Sequence, residues 1–557
     1  MRVSHPFPEI GCQYNPPRLI ITALKNAFIS REFWLAIGFT GFYTAYESWL
    51  FPSVIPFVTE HMPVYLQNLA QVISQLWVLA FVWLSLLSRG KVRLVYLTLF
   101  AISVLGEYGA YYSVGRFTIS EDYDMVLRLI DPRLYFNAAV IYTSFYLPSA
   151  LPILAYAACL LGLRRQQRLG LRHFVAILTV FLIFSSLLVP VSSGVFRTLS
   201  LATNLRSWTF LAWKAASLYR GPRLLVPPVS HAAPKDNLVF IVDESIRADH
   251  LSVNGYSRPT SPYLEELQRQ GFLYNWKDSA SSATSSLHSN TLLLTGINHL
   301  PDVAQDTRRS PTLFAYAKAM GYRVSLLDVQ MNTHWLMQTE DYAFVDEWPT
   351  EQDFSRRGEY NMDLEAARWM EAKLRSSTGN FIWINKMGAH FPYASRYPPG
   401  AALWGPALTG TEYDPAKRTE LVNSYDNAVT YNLESFFRIL IRPEILEHTI
   451  FVYTSDHGQT LSENGETWPQ TGPTHNEAKI PIMIISARPF VVDTDFKAGH
   501  QNLFATLLDL MQVPDSSRVY SYSPSLLQPT TGNRQPRFYI VGDILSDLRS
   551  EIYRYDK

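Results

Sequence analysis

The sequence predicts two unlike parts: an N-terminal membrane domain of five transmembrane helices and a C-terminal α/β domain with a mostly parallel sheet. Three observations support this division. Five long apolar runs precede residue 193, no comparable run follows residue 235, and the remaining chain alternates strand-like with helix-like segments. The 557 residues are 48% hydrophobic and 17% charged. The charged share is below the roughly 25% of ordinary soluble domains, as expected when part of the chain faces lipid.

The five apolar runs are each long enough to cross a bilayer. They cover residues 33–51, 65–87, 93–115, 137–162 and 173–192, close to the ~20 residues that an α-helix needs to span the hydrocarbon core. One such run could be a buried helix of a soluble protein, but five in series favour a membrane domain over residues 1–192. The N-terminus lacks the compact apolar core and small-residue cleavage site of a signal peptide, so we expect none to be cleaved.

Basic residues in the short connections predict the orientation of these helices. They occur in the N-terminal segment and in the connections after the second and fourth runs, namely Arg2, Arg18, Lys25, Arg31, Arg89, Lys91, Arg93, Arg164, Arg165, Arg168 and Arg172. The connection between the first two runs has none. Because lysine and arginine are enriched in cytoplasmic loops, the N-terminus is expected in the cytoplasm and everything after residue 193 outside it.

Residues 193–235 are predicted to form interfacial bridging helices and a linker. This segment mixes basic side chains with the indoles of Trp208 and Trp213, a combination that suits the lipid headgroup layer. The alternative interpretation is a surface helix of a soluble domain. Three prolines between residues 227 and 234 then interrupt the chain, and an outer domain is expected over residues 236–557.

Strand and helix patterns alternate through the outer domain. Apolar runs rich in β-branched residues predict strands at Leu238–Val242, Tyr322–Leu327, Phe381–Ile384, Thr449–Thr454 and Ile480–Ile485. Helical patterns cover Tyr263–Gln270, Leu364–Leu374 and Val422–Ile441, and a further buried helix is expected around Leu292–Leu294. This alternation predicts a mostly parallel sheet covered on both faces. Ligands then bind at the carboxyl ends of the strands.

Three of these strand ends carry metal-binding or proton-transferring side chains. Glu244 follows the first strand, His390 follows the strand at 381–384, and Asp456 and His457 follow the strand at 449–454. Individually they could be a helix cap, a loop histidine and a turn. Together they bring carboxylate and imidazole groups to one sheet edge, which suits zinc, manganese or another borderline divalent ion.

A hydroxyl-rich stretch at residues 279–286 directly precedes the predicted helix around 292–294. It could be a flexible serine-rich loop. Alternatively, it holds a nucleophile at a helix N-terminus, where backbone N–H groups and the helix dipole favour a phosphoryl or sulfuryl group.

These motifs resemble those of the bacterial phosphoethanolamine transferases, which belong to the alkaline phosphatase and sulfatase superfamily. The resemblance rests on residues 241–245, on the string NGYSRPT at 254–260, on residues 387–390 and on residues 455–458. The five-span layout with an outer catalytic domain matches as well. The resemblance implies a sulfatase-like, alkaline-phosphatase-like fold. It also implies a multi-pass enzyme of the bacterial inner membrane whose catalytic domain lies in the periplasm.

The resemblance also implies roles for individual residues. It makes Glu244, Asp456 and His457 zinc ligands, together with a threonine nucleophile that becomes phosphorylated. Thr284 and Ser282 compete for that role. Thr284 is preferred because it aligns the apolar helix at 292–295 with the helix that follows the family's nucleophile.

Two further histidines, His390 and His475, are implied to hold the transferred phosphoryl group or a second divalent ion, and Lys386 could neutralise the remaining charge. The chain departs from the family at Asp243, where glycine is usual, and at Gln459, where glutamate is usual. His475 also lies further along the chain than the usual second histidine, and the disulfides of the lipid A-modifying members are missing.

The implied reaction is a double displacement. Phosphatidylethanolamine donates its headgroup to Thr284, and a hydroxyl or phosphate of a cell-envelope glycan or glycolipid, such as lipid A or the lipopolysaccharide core, accepts it. Membrane lipids are therefore the expected partners, and we expect a monomer. The alternatives are a phosphoglycerol transferase, a phosphodiesterase, a sulfatase, or a non-catalytic membrane sensor. A sulfatase is disfavoured because residues 281–292 lack the proline and arginine of a C/S-x-P-x-R motif.

Charge and cysteine content exclude other classes of protein. The 48 basic residues balance the 48 acidic ones, so the basic excess of nucleic-acid-binding proteins is missing and no nucleic-acid partner is expected. Cys12 and Cys159 are the only cysteines, which rules out a disulfide framework and a zinc site built from cysteines.

Overall fold

The structure is a computed structural model, and its described residues fall into two compact units that divide at about residue 210. The described residues are 30–51, 64–88, 90–114, 146–162, 199–204, 221–229, 233–297, 303–330, 341–349, 362–410, 413–466, 469, 472–528, 536–542 and 551–556. The first unit is helical and the second is an α/β unit.

The helical unit contains the long helices α1 (Arg31–Leu50), α2 (Val64–Leu87), α3 (Gly90–Val114) and α4 (Tyr146–Leu161). They correspond to the first four apolar runs, while the fifth run at 173–192 lies outside the described residues. Among the described residues, one helical stretch, Gly90–Tyr111, is both long and apolar enough to cross a membrane. Ser74–Leu87 and Tyr146–Leu161 are shorter apolar helical stretches.

Aromatic rings and one buried carboxylate hold the helical unit together. The ring of Phe100 lies 4.6 Å from that of Tyr156 and 5.2 Å from that of Tyr43, measured between centroids. The carboxylate of Glu47 accepts hydrogen bonds from the N–H (2.9 Å) and hydroxyl (2.6 Å) of Ser200. Ser200 lies in a helical stretch whose described residues are 200–204. The described start of the predicted bridge, residues 199–204, is therefore buried within this unit.

The α/β unit is built on a six-stranded sheet of order β2-β6-β5-β1-β4-β3. The strands are β1 (Asn237–Asp243), β2 (Leu273–Ala280), β3 (Arg323–Asp328), β4 (Asn380–Asn385), β5 (Thr449–Ser455) and β6 (Lys479–Ile485). Strands β3, β4, β1 and β5 pair in parallel, whereas β6 is antiparallel to β5 and β2 is antiparallel to β6. The predicted parallel block is present, and the reversed β6 makes the whole sheet mixed.

Helices cover both faces of this sheet. They are α5 (Pro262–Arg269), α6 (Ser286–Thr295), α7 (Val303–Arg309), α8 (Leu313–Ala319), α9 (Met362–Ser376), α10 (Arg418–Leu440), α11 (Pro443–Leu446), α12 (His475–Ala478) and α13 (His500–Leu510). Alternate residues of β1 point to opposite faces. Val239 and Ile241 pack in the core beneath α9 and α10, and Leu238 and Phe240 pack in the core beneath α8 and α13. Every residue of β1, β4 and β5 is buried, which explains their continuous apolar sequences.

Strand β2 was not predicted from the sequence. It is one of the two edge strands of the sheet, and its exposed Lys277 and Asp278 interrupt the apolar pattern. A second sheet of two antiparallel strands, β7 (Phe538–Val541) and β8 (Glu551–Arg554), was not predicted either. Both matter for the site, because β2 leads the chain into residues 281–285 and β7 pairs with that loop.

Candidate metal and nucleophile site

Three predicted metal ligands converge at the carboxyl ends of β1 and β5. Glu244 follows β1, and Asp456 and His457 follow β5. The two strands pair in parallel with Asp243 opposite Ser455. The three ligand side chains are fully buried, and one potential ligand atom from each lies within 4.8 Å of the others. We call Glu244, Asp456 and His457 the ligand cluster.

The ring of His457 presents a lone pair to this cluster. Its Nδ1 lies 2.6 Å from the carbonyl oxygen of Gly458. Because a carbonyl oxygen only accepts hydrogen bonds, Nδ1 carries the proton and Nε2 of the neutral ring is left to bind a metal. Nε2 lies 3.6 Å from Glu244 Oε1 and 3.6 Å from Asp456 Oδ2.

Only one of the two oxygens of the Asp456 carboxylate has hydrogen-bond partners among the described residues. Its Oδ1 accepts the backbone N–H groups of Ser245 (3.0 Å) and His457 (2.7 Å). Its Oδ2 is buried and has no hydrogen-bond partner among the described residues. Burial and the neighbouring Glu244 raise the pKa of Asp456, since two buried carboxylates repel one another when both are ionised. An unpaired oxygen, two carboxylates and one imidazole fit a divalent cation such as zinc.

Side-chain donors outside the hydroxyl-rich loop hold Glu244 in place. The hydroxyl of Ser245 donates to Oε1 at 2.5 Å, and the amide of Gln330 donates to Oε2 at 3.0 Å. The Gln330 amide also donates to the carbonyl oxygen of Lys386 at 2.8 Å. Sequence reasoning missed Gln330. The available signal was its position two residues beyond β3, at the same sheet edge as the other site residues.

The hydroxyl that reaches the ligand cluster belongs to Ser286, the first residue of α6. Its Oγ lies 3.0 Å from Glu244 Oε2 and 3.3 Å from His457 Nε2. Ser286 is half-buried, whereas the residues before Ser285 in this loop are fully buried. A partly accessible hydroxyl beside metal ligands, at the N-terminus of a ten-residue helix, is placed to attack a phosphorus atom.

Thr284 and Ser282, the two predicted nucleophiles, are joined to β7 by backbone hydrogen bonds. The Thr284 N–H donates to the carbonyl oxygen of Ile540 at 3.3 Å, and the Ile540 N–H donates to that of Ser282 at 2.9 Å. Thr284 is only 2% exposed and Ser282 only 6%. Helix α6 begins at Ser286, two residues after Thr284, so of these three hydroxyls it is that of Ser286 which lies at the helix N-terminus.

The two predicted phosphoryl-binding histidines lie in different surroundings. His390 Nδ1 lies 2.5 Å from the Phe391 carbonyl oxygen, so its Nε2 remains available. Burial lowers the pKa of His390, although the negative charge of Glu244 acts in the opposite direction. His475 begins α12, and its ring stacks on that of Tyr555 with 4.0 Å between centroids. Among the described residues, neither histidine belongs to a group of three potential metal ligands.

Lys386 forms a buried ion pair behind Glu244. Its Nζ lies 2.6 Å from Oδ2 of Asp243, both side chains are fully buried, and the hydroxyl of Tyr453 donates to the same oxygen at 3.1 Å. The other oxygen of Asp243 accepts the N–H of Glu244 at 3.0 Å. Lys386 and Asp243 therefore balance each other's charge, which gives a structural reason for aspartate at a position where the resembling family has glycine.

The NGYSRPT string contributes to the scaffold. The buried carboxylate of Asp426 in α10 accepts hydrogen bonds from the Tyr256 hydroxyl (2.8 Å) and the Arg258 guanidinium (2.7 Å) and pairs with His250 Nδ1 (2.7 Å). The string is thereby fastened to α10. Tyr425 precedes Asp426 in α10, and its hydroxyl donates to the carbonyl oxygen of Ser245 at 2.6 Å.

A buried histidine connects the loop before α6 to the end of β5. His500 Nε2–H donates to the Ser455 carbonyl oxygen at 2.8 Å, and Nδ1 accepts the N–H of Ser282 at 3.3 Å. Both ring nitrogens are therefore used by a neutral ring. Burial lowers the pKa of His500 to about 3.

His500 is expected to make the α/β unit less stable in mild acid. The unfolded chain binds a proton at His500 below a pH of about 6.5, whereas the folded chain does so only near pH 3. The contribution of His500 to the free energy of unfolding is therefore fully present above about pH 6.5 and is lost as the pH falls toward 3. The loss amounts to about 2 kcal/mol between pH 7 and pH 5. Unfolding midpoints of the full chain and of His500→Gln, measured at both pH values, should show the smaller decline for the variant. Equal declines would contradict this role.

The chain is similar to known envelope-modifying enzymes. Residues 236–513 match the sulfatase family. The chain is 25% identical over 334 residues to the Kdo(2)-lipid A phosphoethanolamine 7''-transferase of Salmonella typhimurium, covering 57% of each protein. It is 26% identical over 304 residues to the phosphatidylethanolamine transferase Mcr-2 of Escherichia coli, covering 50% of this chain and 54% of that protein. The chain thus spans just over half the length of these curated relatives.

A solved structure shares the fold over most of the chain. It is the integral membrane protein lipooligosaccharide phosphoethanolamine transferase A from Neisseria meningitidis, with a TM-score of 0.54 and 18% identity. The match covers 85% of this chain and 95% of that one. The predicted fold class is confirmed in its two parts, an N-terminal helical unit and a C-terminal sulfatase-like α/β domain, whereas the five membrane-spanning helices stay a prediction. Residues 236–513 of this chain therefore form a domain of the sulfatase family.

Proposed function

We propose that this protein is a membrane-anchored phosphoethanolamine transferase that carries the transferred group on Ser286. The observation behind this proposal is the position of Ser286 Oγ, 3.0 Å from Glu244 Oε2 and 3.3 Å from His457 Nε2. The names of the relatives supply the substrate classes, phosphatidylethanolamine as donor and lipid A as acceptor. For this chain the acceptor is a hydroxyl or phosphate of a glycan or glycolipid in the cell envelope.

The residues for metal binding in this proposal are Glu244, Asp456, His457 and Ser286. A zinc ion bound there would lower the pKa of the Ser286 hydroxyl and offset the negative charge of the phosphoryl oxygens. The neutral tautomer of His457 and the unpaired Oδ2 of Asp456 both favour this assignment.

In the first half-reaction, Ser286 Oγ attacks the phosphorus atom of phosphatidylethanolamine. The bond between phosphorus and the diacylglycerol oxygen breaks, and that oxygen takes up a proton. This is the proton that Ser286 loses as it attacks: His390 takes it up at Nε2, because its Nδ1 is engaged by the Phe391 carbonyl oxygen, and passes it to the diacylglycerol oxygen. The products are diacylglycerol and a phosphoethanolamine ester of Ser286.

In the second half-reaction, an acceptor oxygen attacks the same phosphorus atom and Ser286 Oγ leaves. His390 Nε2 takes the proton of an acceptor hydroxyl and returns it to Ser286 Oγ, which restores the starting enzyme. The backbone N–H groups at the start of α6 face the phosphoryl oxygens in both steps. This cycle uses the ligand cluster, Ser286 and His390, and it does not require His475.

The proposed location is the bacterial inner membrane with the α/β unit in the periplasm. The loop charges predict a cytoplasmic N-terminus. Donor lipid in the outer leaflet of that membrane and a glycolipid acceptor would then be available on the side of the catalytic domain.

Covalent labelling of the full chain tests this function. The protein, purified in detergent with zinc, is incubated with phosphatidylethanolamine or, in a parallel sample, with phosphatidylglycerol, and its peptides are analysed by mass spectrometry. We expect release of diacylglycerol and a phosphoethanolamine mass on Ser286 in the first sample only. A phosphoglycerol mass in the second sample alone would favour a phosphoglycerol transferase. A mass on Thr284 would overturn the assignment of Ser286.

A further inference from the structure

The two-stranded sheet of β7 and β8 lies beyond residue 513, where the sulfatase-family match ends. Strand β7 pairs with the loop that leads to Ser286. Ala283 lies opposite Ile540 in a parallel bridge. Two backbone hydrogen bonds form this bridge, from the Ile540 N–H to the Ser282 oxygen at 2.9 Å and from the Thr284 N–H to the Ile540 oxygen at 3.3 Å. The second of these bonds is made by Thr284, two residues before Ser286, where the helix begins.

The same sheet also contacts the segment that follows the Asp456-His457 pair. The Tyr539 hydroxyl donates to the Pro473 carbonyl oxygen at 2.7 Å, and the ring of Tyr555 stacks on His475. Ala280 and Ala478 share a buried apolar cluster with Tyr539 and Tyr555. The sheet therefore contacts two chain segments, the loop before Ser286 and the segment that follows Asp456 and His457.

Arg537 fastens this sheet to the end of β2. Its guanidinium donates to the Asp278 carbonyl oxygen at 2.6 Å and to the Ala498 carbonyl oxygen at 3.2 Å. It also pairs with the carboxylate of Asp556 and lies over the ring of Tyr555, 4.5 Å from its centroid. Only 2% of the Arg537 side chain is exposed. A buried arginine with this many partners indicates a fixed docking position.

We propose that the β7–β8 sheet is a positioning element that sets the register of residues 282–284 and so aims Ser286 Oγ at the ligand cluster. The loop cannot hold Ser286 by capping alone, because Ser285, the residue before α6, makes no side-chain capping bond to the helix. The two backbone bonds to Ile540 instead fix the last residues before the helix. This inference rests on the proposed function of Ser286 as the nucleophile.

The effect on catalysis follows from the precision that attack on phosphorus requires. A displacement of about 1 Å in a reacting group can reduce the rate by ~100-fold even when the substrate still binds. Loss of the β7 contacts is therefore expected to lower kcat. The ligand cluster is built from β1 and β5, so metal content and the KM for the donor should change little.

Two variants of Ile540 separate the backbone bond from side-chain packing. Ile540→Pro removes the N–H that donates to Ser282. Ile540→Ala keeps both backbone bonds but weakens the apolar cluster with Ala283 and Leu292. Phe538→Pro is the matched control, because Phe538 is the first residue of β7 and its N–H does not donate to residues 281–284 among the described contacts. All three variants are made in the full chain, and their activities are compared with that of the wild type at a temperature below the onset of unfolding.

We expect Ile540→Pro to lower kcat at least ~10-fold with zinc content and donor KM within about 2-fold of wild type, and the other two variants to keep kcat within about 3-fold. Wild-type kcat in a folded Ile540→Pro variant would overturn the proposal. So would an equal loss in Ile540→Ala, since packing alone would then explain it.

Hydrogen exchange supplies a second measurement that does not depend on turnover. The Thr284 amide should be protected in the wild type, and Arg537→Met should accelerate exchange in residues 281–286 while Arg537→Lys restores part of the protection. If residues 281–286 exchange at the same rate in Arg537→Met as in wild type, the sheet does not hold the loop. If the wild type transfers no phosphoethanolamine at all, the proposed function fails, whereas the exchange result still decides whether the sheet positions the loop.

Discussion

Replacement of Ser286 by alanine is expected to reduce phosphoethanolamine transfer at least ~1,000-fold, to the background of the assay. Ser286 Oγ is the hydroxyl in contact with both Glu244 and His457, and alanine has no oxygen to form the covalent ester. The variant should still fold and bind zinc, because the other three ligands remain. Diacylglycerol release from phosphatidylethanolamine and the mass of the Ser286 peptide measure the result directly.

Thr284→Ala is the matched control for this prediction. Thr284 is buried, and its described hydrogen bond is made by its backbone, which alanine retains. We expect its activity to stay within ~10-fold of wild type, with the loss arising from the missing methyl contacts. Ser286→Thr should retain partial activity, since the hydroxyl is kept but the χ1 angle becomes restricted. An inactive Thr284→Ala beside an active Ser286→Ala would reverse the assignment.

Removal of a ligand-cluster side chain is expected to weaken zinc binding at least ~100-fold and to abolish transfer. Asp456→Asn is the most informative change, because it keeps the shape of a side chain whose Oδ2 has no described hydrogen-bond partner. Glu244→Gln and His457→Ala should behave alike. Metal content per chain after dialysis, measured by elemental analysis, and the shift of the unfolding temperature on adding zinc are the readouts.

His475→Asn is the control for metal binding. The His475 ring stacks on Tyr555 and is not part of the ligand cluster. We therefore expect normal zinc content and a small loss of stability, in contrast to the family-derived expectation that His475 holds the phosphoryl group or a second ion. Stoichiometric zinc in the Asp456→Asn, His457→Ala double variant would show that the ligand assignment is wrong.

The sequence was most informative where local pattern and chemistry coincide. The apolar runs of β1, β4 and β5 identify buried parallel strands because every residue of these strands is covered on both faces. The polar residues that follow β1 and β5 then predict the ligand cluster, since parallel neighbours end at the same sheet edge. Glu244, Asp456 and His457 were predicted in this way, and the structure brings them together.

Prediction was least accurate where long-range pairing decides the local structure. Strand β2 lies at the sheet edge with charged residues facing outward, so it has no continuous apolar pattern. Its pairing with β6 depends on residues about 200 positions away. The helix expected around Leu292–Leu294 begins at Ser286, and the residues before it pair with Ile540, more than 250 positions along the chain.

The sequence by itself determined the two-part organisation, the parallel core and the three side chains of the ligand cluster, because periodicity and residue chemistry are properties of neighbouring positions. The tertiary structure decided which hydroxyl meets those ligands, and where Lys386 and His475 point. Ser286 Oγ contacts Glu244 and His457, and the residues that precede Ser286 pair with Ile540 of β7. Lys386 turns to Asp243 because a buried ammonium requires a buried partner. Such choices depend on contacts between distant segments, which residue order alone does not reveal.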